Sequence, residues 1–157
     1  MNLSRYAVIE ILEHHEIESA ALQLQLEALG KSLEDDLEEI RSRIYPGAVE
    51  YDRDRVQATP TPTDEKLVAV VQACDERREQ HKRDVAVILG RLREIRAVYS
   101  EIQRLGPVDK ATLLNLYYPR RTMEDVAEIM GVDRGTIRNR RDAAINKLVE
   151  RLRRADE

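Results

Sequence analysis

The chain has 157 residues, a formal net charge of −4, 36% charged side chains and 42% hydrophobic ones. This length allows one medium-sized domain or two small ones, and the abundance of Leu, Ile, Ala, Glu and Arg is typical of long amphipathic helices. A single Cys excludes a disulfide framework. The sequence has no apolar run near the roughly 20 residues of a membrane span and no signal-peptide core, so we expect a cytoplasmic protein without membrane contact.

The first predicted element is a helix over residues 4–44. Apolar side chains recur at intervals of three and four residues, the spacing of one helix face, at Leu22, Leu26, Leu29, Leu33, Leu37, Ile40 and Ile44. A second stripe lies on another side of the same helix and consists of Ile17, Ala21, Leu24 and Ala28. Gly30, followed by the capping-box sequence SLED at residues 32–35, leaves a bend or break open.

A linker is predicted over residues 46–63. It begins with Pro46-Gly47 and ends in alternating Thr and Pro, which favour an extended backbone over a helix. Because a linker of this length is unusual inside a compact domain, we expect it to lie along the neighbouring helices, held there by Tyr51 and Val56.

The next predicted helix begins near Asp64 and carries a heptad repeat. Its seam residues alternate spacings of four and three and are Leu67, Val71, Cys74, Arg78, His81, Val85, Ile88, Leu92, Ile95, Tyr99 and Ile102. Such a helix buries its seam only against a partner, so we expect the 4–44 helix to fold back antiparallel, a homodimer to form, or both. Within the seam, Arg78 and His81 would pair with the acidic cluster at 34–39 or extend into solvent.

Residues 106–157 contain three shorter predicted helices. Pro107 opens the first and Pro119 ends it, the capping box TMED at residues 122–125 opens the second, and Asp133 caps the third. Gly131 permits the left-handed residue that a tight corner between two helices requires. The apolar side chains predicted to be buried in the last two helices are Val126, Ala127, Ile129, Met130, Ile137, Ala144, Ile145, Leu148 and Leu152.

The spacing of three of these residues is the helix-turn-helix pattern. Ala127 is small where the last helix crosses over it, Gly131 turns the chain four residues later, and Ile137 fills the space between the two helices. The last helix is also basic, since residues 134–154 carry eight basic and two acidic side chains, which indicates a polyanionic partner. The pattern and the charge together favour double-stranded DNA as the ligand.

The candidate contact residues follow from this geometry. A recognition helix reads base edges with its N-terminal residues, Arg typically pairs with guanine and Asn with adenine, and the candidates for base contacts are Arg134, Thr136, Arg138 and Asn139. The side chains better placed for phosphate contacts are Arg120, Arg121, Arg140, Lys147 and Arg151. Arg141 lies on the inward side of the helix, which favours a structural role.

Residues 107–152 resemble region 4 of sigma-70-type factors. The matching segments are TMEDVA at residues 122–127, VDRGTIRN at 132–139 and AINKL at 144–148. The whole chain is similar to small phage and prophage activators of Gram-positive bacteria, the RinA/ArpU-like group, which join a helical half, a segment like VEYDRDRVQ at 49–57 and a sigma-like end. The resemblance implies a transcription regulator that acts with RNA polymerase. Gly135 stands where sigma factors usually place Glu, and Arg140 where an apolar residue is usual.

The sequence therefore predicts an all-α fold in two parts, a helical coiled-coil dimerisation region at 1–105 and a helix-turn-helix DNA-binding domain at 106–157. We expect a sequence-specific transcription regulator and no enzyme, cofactor or metal site, because the chain has no glycine-rich phosphate loop, no Ser/His/Asp motif and no clustered His or Cys ligands. Two alternatives stay open: a small terminase-like DNA-packaging protein, which would form rings, and a polymerase-binding module without base readout.

Overall fold

The computed structural model describes residues 2–43 and 63–155, which form five helices. They are α1 (Arg5–Ser42), α2 (Asp64–Gln103), α3 (Pro107–Tyr117), α4 (Met123–Met130) and α5 (Arg134–Arg154). The one β-type pairing within these ranges is an isolated bridge between Tyr117 and Arg120. The predicted all-α fold is thereby confirmed. The predicted linker lies outside the described residues except for Thr63, as do Tyr51 and Val56.

The helix α1 passes through Gly30 without a break, which excludes one of the two possibilities that the sequence left open. The Ser4 hydroxyl accepts a hydrogen bond from the Ala7 backbone N–H (3.1 Å) and caps its first turn. A glycine inside a helix costs only about 1 kcal/mol relative to alanine, and the strong helix formers on either side outweigh that cost.

The described helices fall into two compact units. The first contains Met1–Ala21 and Gly90–Glu157, and the second contains Leu22–Leu89. These boundaries differ from the predicted division at 105/106, because the beginning of α1 belongs to the same unit as the three C-terminal helices.

In the second unit, an ion pair joins α1 to α2. The Nε of Arg77 lies 2.6 Å from Oδ2 of Asp36, so the acidic cluster at 34–39 does supply a counter-charge, but to Arg77. The predicted partner Arg78 is exposed and pairs instead with Asp75, one turn earlier on its own helix (3.3 Å). His81 is half-buried, and its Nδ1 has no hydrogen-bond partner among the described residues.

The predicted seam of α2 is only partly correct. Cys74, Ile88, Ile95 and Ile102 are buried, as expected. However, Val98 is fully buried while its neighbour Tyr99, the predicted seam residue, is 44% exposed. This part of α2 belongs to one compact unit with the three C-terminal helices, so its buried side is not set by α1 alone, and the Tyr99 ring contacts Tyr118.

In the first unit, α1 and α2 run antiparallel. Arg91 on α2 makes two hydrogen bonds to the Glu18 carboxylate on α1. The His15 ring, one turn before Glu18, stacks on Tyr118, which in turn contacts Tyr99, two turns after Arg91. The buried apolar residues of the two helices in this unit include Val8, Ile11, Leu12, Val98 and Ile102.

The three C-terminal helices share a core formed by Leu116, Val126, Ala127 and Ile137. The prediction that Ile129 is buried was wrong, since its side chain is 57% exposed. The eight residues of α4 bury one side centred between Val126 and Ala127, and at ~100° per residue Ile129 lies roughly 110° from that centre. Met123, one turn before Val126, packs against this core instead.

Candidate nucleic-acid interface

The corner between α4 and α5 is built from caps at both helix ends. The Thr122 hydroxyl accepts from the Asp125 backbone N–H (3.2 Å), and the Asp125 carboxylate accepts from the Thr122 N–H (3.4 Å), which completes the predicted capping box. At the other end of α4, Gly131 adopts the left-handed conformation with φ 67° and ψ 34°. The next N–H, that of Val132, donates to the Ala127 carbonyl (3.0 Å), which is the closing bond of a Schellman turn.

Asp133 then caps α5. Its carboxylate accepts from both the backbone N–H (3.2 Å) and the hydroxyl of Thr136. These hydrogen bonds stabilise the charged form of the Asp133 carboxyl and so hold its pKa below its ordinary value, and the hydrogen bond from the Thr136 hydroxyl has the largest effect. A Cβ added at Gly135 would lie only 3.0 Å from Asp133 Oδ2, so a glutamate at this position would crowd the cap.

The packing between α4 and α5 agrees with the predicted spacing. Ala127 is 6% exposed, and Ile137 is fully buried in the same core cluster. Further along α5, Ala144, Ile145, Leu148 and Leu152 are buried as predicted, and so is Val149. The inward residues are thus fixed by the core, which leaves the outward residues of α5 available to a ligand.

The four candidate base-contact residues lie in different environments. Arg138 and Asn139 are exposed, and their side chains make no hydrogen bond or ion pair with any other described residue. Arg134 is also exposed, but its Nη1 lies 2.8 Å from the Glu124 carboxylate of α4. Thr136 donates its hydroxyl to Asp133, so its polar group is committed to the helix cap. Arg134 and Arg138 line one shallow depression beside α4, together with Met123, Gly135 and Arg141.

The five candidate phosphate-contact residues also divide. Arg120 is exposed, Arg140 is half-buried, and Arg121 donates to the Asn115 side-chain carbonyl. The two others hold carboxylates within the protein: Lys147 lies 2.6 Å from the Asp109 carboxylate, and Arg151 Nε lies 3.0 Å from Oε2 of the buried Glu101.

Glu101 is the acidic centre of a small ion-pair network. Its carboxylate also accepts from Arg104 (2.7 Å), so two arginines compensate one buried charge. Arg151 therefore has a structural role, because it shares with Arg104 the compensation of the buried Glu101 carboxylate.

One functional candidate could not be found from the sequence pattern. Arg5, the first residue of α1, donates from Nε to Oδ1 of Asn146 (3.1 Å), and its Nη2 lies 3.6 Å from the Asp142 carboxylate. Both partners belong to the outward side of α5. Arg141, half-buried as its inward position predicts, donates two hydrogen bonds to the same Asp142 oxygen (3.1 and 2.9 Å). Arg5 and Asn146 are 141 residues apart, and no local spacing connects them.

The described residues contain no group of three or more His, Cys, Asp or Glu side chains that could hold a metal ion. No helix within 2–43 or 63–155 has the length and apolar character that crossing a membrane requires. Comparison of the chain with protein-family models, with curated proteins and with solved structures finds no match. The resemblance to sigma region 4 and to phage activators therefore stays a prediction from the residues.

Proposed function

We propose that this protein is a transcription regulator that binds double-stranded DNA through a helix-turn-helix formed by α4 and α5. The observation that carries the proposal is the corner between these helices, in which Gly131 is left-handed and Asp133 caps α5. This corner leaves the basic N-terminal turns of α5 at the surface, and a recognition helix enters the major groove with those turns.

Arg138 and Asn139 read base edges in this proposal. Both are exposed on the first two turns of α5, and no partner among the described residues competes for their polar groups. Arg can pair bidentately with guanine and Asn with adenine. Arg134 contributes only after it exchanges Glu124 for DNA, and Thr136 contributes by fixing the helix start rather than by touching a base.

Arg120, Arg121 and Arg140 supply phosphate contacts. They are better suited than Lys147 and Arg151, because those two side chains already neutralise Asp109 and Glu101. Phosphate contacts set the affinity and its salt dependence but carry no sequence information. RNA polymerase enters the proposal as a second partner only through the resemblance to sigma region 4.

The protein acts as a homodimer through the second unit. In this unit Leu24 on α1 and Val68 and Val71 on one side of α2 are each more than half exposed in the single chain. Large apolar side chains of this kind are stabilised when a second chain covers them, and a two-fold dimer also suits paired half-sites on DNA. Light scattering at micromolar concentration should give twice the chain mass, and a monomer would contradict this part of the proposal.

The DNA-binding proposal is tested with duplexes selected from a random library by the purified full chain. On the best duplex, Arg138→Ala should cost about 1–3 kcal/mol, and much less on a scrambled duplex. Arg153→Ala is the matched control, because Arg153 is exposed on the same helix, ~22 Å further along its axis, and should change both affinities little.

Each alternative function predicts a different result in this experiment. Equal losses for Arg138→Ala and Arg153→Ala on both duplexes would mean that α5 is only an electrostatic surface. Retained polymerase binding without duplex binding would then favour the interaction module. Ring-shaped oligomers, instead of dimers, would favour the DNA-packaging protein.

A further inference from the structure

We infer that Arg5 extends the DNA-binding surface of α5 by contacting a backbone phosphate. The inference rests on the proposed function, and it concerns a residue at the opposite end of the chain from the helix-turn-helix. Its side chain is half exposed and is placed against α5 by Asn146 and Asp142.

Arg5 is held in position by the packing of the residues around it. The preceding Leu3 is buried, and Val8 and Leu12 are fully buried on the following turns. The Ser4 hydroxyl caps the same turn from which Arg5 projects. Residues 1–21 and α5 belong to one compact unit, so Arg5 has a defined place beside α5 rather than that of a loose terminal side chain.

The charge balance shows that Arg5 is more than the counter-ion of Asp142. Arg141 already donates two hydrogen bonds to Asp142 from the same helix. Asp142 is the only acidic residue among positions 134–149 of α5. Arg5 therefore adds a second positive charge beside Asp142, and its half-exposed guanidinium keeps donors free for an anion.

The position of Arg5 along α5 selects phosphate over bases. At ~1.5 Å per residue, Asp142 and Asn146 lie roughly 12 and 18 Å from Arg134 at the start of the helix. The major groove is only about 12 Å wide, so a helix that enters it with the first turns carries these later positions to the edge of the groove, where the phosphates run.

The experiment compares Arg5→Gln with Arg5→Lys in the full chain, on the selected and the scrambled duplex. Arg5→Gln should weaken binding to both duplexes alike, about five- to tenfold near 0.1 M salt, and lower the salt slope by about 0.9. Arg5→Lys should retain most of the affinity. Arg96→Gln, the same change at an exposed residue of α2, is the control and should lower the affinity less than twofold. Circular dichroism checks that all variants keep their helix content.

Three results would overturn the inference. If Arg5→Gln left DNA binding unchanged, Arg5 would not contact DNA. If it made binding tighter, Arg5 would hinder the access of DNA to α5. Loss of the Arg5→Gln effect in an Asp142→Ala background would show that Arg5 acts only on that carboxylate. In each case a base-specific loss for Arg138→Ala would leave the proposed function intact, whereas failure of the unaltered protein to bind any duplex would refute the proposed function itself.

Discussion

Gly131 offers the sharpest test of the corner between α4 and α5. A Cβ added at this position meets no atom within 4 Å, so Gly131→Ala changes the backbone energy without a steric clash. Its φ of +67° is left-handed, which costs an L-residue about 1–2 kcal/mol. The loss of unfolded-state entropy returns about 0.4–1 kcal/mol, so the net destabilisation should be near 1 kcal/mol.

Gly90 provides a control in which the same substitution has the opposite sign. It lies inside α2 in the same compact unit, and an added Cβ there also meets nothing within 4 Å. Because a glycine inside a helix is destabilising by about 0.5–1 kcal/mol relative to alanine, Gly90→Ala should stabilise the protein. Gly131→Asn should lose less stability than Gly131→Ala, since Asn adopts the left-handed conformation more readily.

Urea unfolding followed by helix circular dichroism measures the three free energies of unfolding. If the unfolding free energy falls with urea concentration at the same slope in all variants, each substitution changes the stability and not the surface exposed on unfolding. The reasoning would be refuted if Gly131→Ala raised the free energy of unfolding as Gly90→Ala does, because the left-handed turn would then be absent in solution.

Two further predictions concern pH. Hydrogen bonds from Thr136 are the first cause of the lowered pKa of Asp133, so this cap stabilises the protein above the ordinary Asp pKa near 3.9, and its contribution is lost as pH falls through the lower folded value. Asp133→Asn should therefore reduce the pH dependence of the unfolding free energy in that range, measured by urea melts at a series of acid pH values. An unchanged pH dependence would contradict the prediction. Burial, followed by the neighbouring Tyr99, raises the pKa of Tyr118 to about 12, so the contribution of Tyr118 to stability is present below pH ~10 and is lost as pH rises through the folded value. Ultraviolet titration should show a tyrosine that ionises late, and Tyr118→Phe should remove it. An identical titration in the two proteins would contradict the prediction.

The features predicted correctly from the sequence depend on residues close together in the chain. The capping box of Thr122, the left-handed Gly131 and the Asp133 cap each need only partners within five residues, so their residue types are sufficient to specify them. The buried side of α5 was equally predictable, because Ile137 and Leu148 lie about three turns apart and therefore on the same side of the helix.

The features that the sequence did not predict depend on the partner helix. The choice of Arg77 over Arg78 as the partner of Asp36 follows from the rotation of α2 against α1, which periodicity alone does not fix. The pairing of Arg151 with Glu101 has the same origin. Ile129 was misassigned for a different reason: α4 has only about two turns, too few for the spacing of its apolar residues to fix where the buried side ends.

The packing of α5 places the start of α1 beside the candidate interface. Ile137 and Leu148 lie within about 20° of each other around α5, but Val149, which is also buried, lies roughly 100° further round. Beyond Val149 comes Asn146, which Arg5 holds from α1. The start of α1 therefore lies along the edge of the buried side that adjoins the outward face. Because Leu3, Val8 and Leu12 on either side of Arg5 are buried, the charge that α1 adds beside the proposed DNA-binding surface depends on the packing of residues 3–12.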